Sequence, residues 1–118
     1  MIPFARRKRR NRNFRRRKNG ITPGLAITAV EHQTTREEVI IRFSGAIAWN
    51  GVDQPTAFEA TTDDGPKQAC LDVLASGPDW IKVEFNGGVD VGAAWALAGA
   101  MAGISPPVAW PQSGIVTA

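Results

Sequence analysis

An all-β fold is expected from this sequence: a small β-sandwich or barrel, immunoglobulin-like or jelly-roll-like, with an extended basic N-terminal arm. Three observations carry that expectation. Apolar residues alternate with polar ones at period two, Asn-Gly and Asp-Gly dipeptides punctuate the alternating runs, and the positive charge is gathered in the first twenty residues, ahead of the patterned region.

Residues 1–20 form the arm. Arg6, Arg7, Lys8, Arg9, Arg10, Arg12, Arg15, Arg16, Arg17 and Lys18 give it +10 with no acidic residue. Residues 21–118 carry Arg36, Arg42, Lys67 and Lys82 against eleven acids, or −7, so the formal net charge of +3 describes neither part. Ten like charges packed this densely repel one another and bury no apolar surface, so the free arm is expected to be disordered. Asn19-Gly20 and Thr22-Pro23-Gly24 supply the turn residues of a hinge. The rest has the length of one small domain, 21–118.

Within that domain Val39, Ile41 and Phe43 fall on one face of an alternating run, with Ile40 and Arg42 on the other. Ile81, Val83 and Phe85 alternate with Trp80, Lys82 and Glu84 in the same way. Leu25–Glu31 and Thr56–Thr62 repeat the pattern more weakly, and all four runs read as half-buried strands. Asn50-Gly51, Asp64-Gly65 and Asn86-Gly87 are the candidate tight turns. Pro66–Ser76 stays open between a helix and a strand. The alanine-rich run from Gly92 to Met101 is assigned to a strand, because Gly99 and Gly103 interrupt any helix.

Ile41-Arg42-Phe43-Ser44-Gly45-Ala46-Ile47 and Val83-Glu84-Phe85-Asn86-Gly87-Gly88-Val89 share one pattern of apolar, charged, Phe, small polar, Gly, small and apolar residues. The pattern resembles strands of immunoglobulin-like modules in phage and bacterial surface proteins.

Asp90 is the last charged residue, and the 28 positions after it hold none. They include Trp95, Met101 and Trp110. Interface cores are depleted of charge and enriched in Trp and Met, so 91–118 is expected to be an uncharged contact region with these three at a subunit interface. A core strand followed by a loose terminus is the competing reading.

Catalytic patterns are sparse. His32 is the single histidine, which removes any relay or metal site built on paired histidines, and it reads as solvated. No metalloprotease, nucleophile-elbow or phosphate-loop motif occurs. Glu37-Glu38 and Asp63-Asp64 read as turn charges, since strand neighbours point to opposite faces. Cys70 is the single cysteine; it excludes an intrachain disulfide and reads as a small buried hydrophobe. No catalytic residue, cofactor or metal is expected, and the protein is read as a non-enzyme. The absence of a secretory pattern and the shortness of the apolar run Val91–Ile104 make a soluble, intracellularly made protein the default.

The arm carries the chemistry. Guanidinium binds phosphate bidentately and stays charged, while Phe14 can stack on a base or lodge in a protein groove. Such contacts position without reading sequence. A nuclear-localisation signal, a membrane-surface patch and a strut threaded between acidic subunits are the other readings of the same residues; the membrane reading has no anchor to support it.

Arg15–Ile21 (RRRKNGI), after an arginine-rich arm and before an all-β domain with an apolar contact region, resembles the arm-to-domain junction of small viral coat and capsid-associated proteins. The resemblance implies a virion structural protein, made in the host cytoplasm or reaching a eukaryotic host's nucleus. Its arm would bind packaged nucleic acid or lock into neighbouring capsid subunits. A domain of this length is short for a principal coat jelly roll, which points to a minor capsid, decoration, penton or cement role. The alternative is a free-standing, sequence-nonspecific nucleic-acid-condensing protein.

Overall fold

The structure, a computed structural model, describes residues 24–118. The expectations for the arm, and for the hinge up to Pro23, lie outside the described residues. Ten strands follow: β1 (Ile27–His32), β2 (Glu38–Phe43), β3 (Ala48–Trp49), β4 (Phe58–Thr62), β5 (Gly65–Ala69), β6 (Asp72–Ser76), β7 (Trp80–Glu84), β8 (Ala94–Leu97), β9 (Ile104–Ser105) and β10 (Gln112–Ile115).

They form two four-stranded antiparallel sheets, β1-β2-β7-β6 and β10-β8-β4-β5, and a small ribbon, β3-β9. In chain order this is the A-B-E-D and G-F-C arrangement of an immunoglobulin-type sandwich, with C′ added beside C. The all-β sandwich expectation holds.

The alternation explains the layering. Val39, Ile41 and Phe43 of β2 and Ile81 and Val83 of β7 are buried, and Val39 pairs with Val83 and Ile41 with Ile81 across the ladder. Phe58 and Ala60 of β4 and Trp95 and Leu97 of β8 belong to the same buried cluster from the second sheet. Two inner faces thus close one core, as stacked sheets about 10 Å apart must.

Pro66–Ser76 resolves into β5 and β6 rather than a helix. Asp64-Gly65 closes the β4–β5 hairpin, with Gly65 at φ 138°. Cys70 and Leu71 then carry the chain to the other sheet through the bonds Cys70 N to Phe58 O and Leu71 N to Glu84 O. The other two candidate turns have positive φ at glycine but join no neighbouring strands: Gly51 lies in the loop after β3, and Gly87 lies on the crossing from β7 to β8.

The loops 44–57 and 98–111 meet in the β3–β9 ribbon, and the second of them buries Met101, Ile104 and Val108. Both ends of the described residues pair along β1 or its entry. Leu25 N donates to Pro107 O at 2.9 Å and Thr117 N to Val30 O at 2.8 Å, making parallel bridges between Leu25 and Val108 and between Glu31 and Thr117.

Candidate interaction surfaces

The place where the arm joins is fixed by its first described neighbours. Ser44 N donates to Ala26 O at 2.9 Å and Phe43 N to Asp79 O at 2.8 Å, so Gly24–Ala26 lies at the end of the sandwich holding the turns after β2 and before β7. The six residues of β1 then run, at about 3.3 Å each, roughly 20 Å to the opposite end.

That opposite end is acidic. Glu38 pairs with Glu84, and Glu84 with Asp72, a cross-strand row of three carboxylates. Like charges directly opposite repel, and the cation recorded at this row is Lys82, 3.8 Å from Glu38. Glu37, Asp63, Asp64 and Asp90 occupy the adjoining turns. Arg36 ties those turns together: its guanidinium donates to Asp90 at 3.0 Å and to Asp63 at 2.9 Å, and the bond to Asp90, with the charge of Asp63, raises its pKa. Arg42 bonds Glu31 at 2.8 Å, with the same consequence.

Trp95 and Met101 require a correction to the interface expectation. Trp95 is 7% exposed, its ring is stacked on Phe58 with centroids 5.5 Å apart, and a Cβ at Gly114 would come within 2.9 Å of its Cζ2. Met101 is buried in the core cluster, and Trp110 is half-buried against it. Two stacked sheets supply enough interior to absorb Trp95 and Met101, while Val91 and Ile115 stay exposed.

The outward residues of the tail remain. On the outer face of the second sheet, one row reads Ser113, Ala96, Glu59, Ala69 across β10, β8, β4 and β5. Two residues further along, Ile115 pairs with Ala94, and β5 bulges so that Pro66 and Lys67 both oppose Thr61. Lys67 has φ 59°, the one non-glycine positive φ among the described residues. A lysine there costs about 1–3 kcal/mol in backbone strain. A shallow apolar groove of about 160 Å³ lies between Glu59, Thr61, Lys67, Ala94 and Ala96. Neither Glu59 nor Lys67 makes a salt bridge with a described residue. Alternation sets Ala94 and Ala96 on one face of their strand, but the pairing of β10 with β8 brings Ile115 beside them, and the bulge that aims Lys67 at that face had no sequence signal.

The remaining candidates are structural. Cys70 is buried, its Sγ donates to Pro55 O at 3.1 Å, and burial, aided by the charge of Asp72, pushes the thiol up to about 12. His32 is half-buried rather than solvated, with Nδ1 3.0 Å from Val89 O, where it ties β1 to the loop before β8. Among the described residues no group of three or more His, Cys, Asp or Glu is placed to hold a metal ion, and no helix is long and apolar enough to cross a membrane.

Fold and surface together define the class: an immunoglobulin-type β-sandwich with a polarised charge distribution. No protein-family model and no curated protein matches the chain. Among solved structures it is similar to the crystal structure of the S-layer protein rSbsC(31–844), with a TM-score of 0.57 and 12% identity. The match covers 81% of this chain but 14% of that one, so what is shared is the fold of one segment of a much longer protein.

Proposed function

We propose that the protein is a non-enzymatic structural component of a virion-type assembly, of the minor capsid, decoration, penton or cement kind. Its arm binds packaged nucleic acid without sequence preference while the sandwich makes the subunit contacts. The observation that supports this most is the segregation of charge: ten cations and no acid in residues 6–18, joined to a domain of −7. Neutralising up to ten phosphates releases as many counterions, giving a slope of log K against log salt approaching about −9 on duplex DNA. The test compares the full chain with one lacking residues 1–18, on duplex and single-stranded nucleic acid of random sequence, across a salt series. Binding and slope should vanish together with the arm. Unchanged binding by the shortened chain would remove the arm from the function.

One observation favours a second reading, in which the arm docks on a neighbouring copy. Seven of the eleven carboxylates (Glu37, Glu38, Asp63, Asp64, Asp72, Glu84, Asp90) gather at the end opposite the arm's attachment. Such a dipolar subunit associates head to tail, a heterologous contact that builds chains or rings. Salt-reversible oligomers in nuclease-treated protein, lost in the triple variant E38Q/D72N/E84Q, support it; monomers at low salt exclude it.

A further inference from the structure

We infer that the outer face of the β10-β8-β4-β5 sheet is a two-fold contact surface for a second copy of this chain. The inference takes its purpose from the assembly reading by naming a partner, but its geometry is independent of what the arm binds.

Charge is the first argument. Two domains that each carry −7 repel, and they approach most easily where each presents a neutral surface. This face provides one. Its β8 and β10 positions (Ala94, Ala96, Ser113, Ile115) carry no charge, and its two charged groups, Glu59 and Lys67, cancel while making no salt bridge to any described residue.

The arrangement of those two charges is self-complementary. A two-fold axis lying between the faces and perpendicular to the strands sets the row Ser113–Ala96–Glu59–Ala69 against the partner's row Ile115–Ala94–Thr61–Lys67. Glu59 is then offset sideways by about one strand spacing, roughly 4.8 Å, from the partner's Lys67, across the roughly 10 Å that separates stacked sheets. Symmetry makes this contact twice, within reach of a lysine side chain. Alanines at the centre let the sheets approach closely, and Ile115, 62% exposed in the isolated chain, gains cover.

Lys67 supplies a further reason. Bulges re-aim side chains, and glycine would hold φ 59° without strain. Instead the position carries the one cation of the domain without an acid partner among the described residues, directed at the groove. The strain is thus kept at a position that lines the groove.

The face measures on the order of 300 Å² per copy, against about 800 Å² for a standard interface. The contact is therefore weak in solution and gains strength only when copies are held together in an assembly.

The experiment is sedimentation of the full, nuclease-treated chain from 10 µM to 1 mM in 0.3 M NaCl, where charges more than roughly 6 Å apart are screened and the arm contributes little. The wild type should dimerise within that range. I115E and A94E should each weaken the dimer at least tenfold while leaving the near-ultraviolet signal of buried Trp95 unchanged. E59K and K67E should each weaken self-association about fivefold or more, because each sets like charges against one another in both contacts. An equimolar mixture of the two should restore it, since every contact of the mixed pair again joins one acid to one lysine. The mixture also controls for misfolding. A wild type still monomeric at 1 mM, a dimer indifferent to I115E, or a mixture no tighter than either variant alone would each overturn the inference. Nucleic-acid binding measured on the same variants reports separately on the arm.

Discussion

Trp95→Ala separates a core tryptophan from an interface tryptophan, and the structure gives its size. The side chain is 7% exposed and packs on Phe58 beneath Gly114. A buried tryptophan removes about 150–250 Å² from water, worth roughly 4–6 kcal/mol at about 25 cal/mol per Å². Measured truncations of buried Phe or Trp fall at about 3–5 kcal/mol, and we expect W95A to lie there. For a domain of this size each kcal/mol moves Tm by about 4–8 °C, so the midpoint should fall by at least roughly 12 °C. Gly114→Ala attacks the same contact from the other side: its Cβ would press within 3.0 Å of the indole, at a cost of about 1–3 kcal/mol. Ile115→Ser, one residue further along β10 and exposed, should stay within about 0.5 kcal/mol. Urea unfolding of dilute protein, followed by tryptophan fluorescence and circular dichroism, measures all three. If W95A unfolded within about 1 kcal/mol of wild type while I115S was severely destabilised, the inward assignment of Trp95, and with it the register of β8 and β10, would be refuted.

Cys70 predicts a pH dependence. Its thiol is pushed up to about 12 in the folded chain, against about 8.5 when unfolded, so its contribution is intact below the lower value. It is lost as pH rises toward the higher one, at about 1.4 kcal/mol per pH unit, and C70A should flatten the urea midpoint between pH 9 and 11. The same burial should keep Cys70 unreactive to a thiol reagent at pH 8 until denaturant is added; stoichiometric labelling of native protein would contradict it. Lys67→Gly relieves the positive-φ strain and should raise stability by up to about 1 kcal/mol in thermal unfolding, while weakening the dimer seen by sedimentation. Removing residues 1–18 should leave the urea midpoint unchanged and abolish the salt-sensitive binding assigned to the arm.

The β character of the chain was legible because alternation is a local property. Val39-Ile40-Ile41-Arg42-Phe43 and Ile81-Lys82-Val83-Glu84 each declare one buried face without reference to anything distant. Pro66–Ser76 was not legible for the complementary reason. Its apolar residues fit either period, and the choice fell to long-range bonds: β5 on β4, β6 on β7, and Cys70 held by Phe58 and Pro55. The turn dipeptides divided likewise. Asp64-Gly65 is a hairpin because the strands on either side of it pair, whereas Asn86-Gly87 has the same chemistry on a crossing between sheets.

The sequence by itself determined the all-β class, the +10 arm against the −7 domain, and a C-terminal stretch without charge, since composition and period two need no partner to be read. Only the tertiary structure decided where these properties point. It turned Trp95 and Met101 inward, left Ala94, Ala96 and Ile115 outward, gathered seven carboxylates far from the arm's attachment, and bent Lys67 onto a neutral face. The physical reason is that alternation states that one face of a strand is buried. Which face of the molecule remains open depends on strand register and on the second sheet, and both are set by residues far apart in the chain.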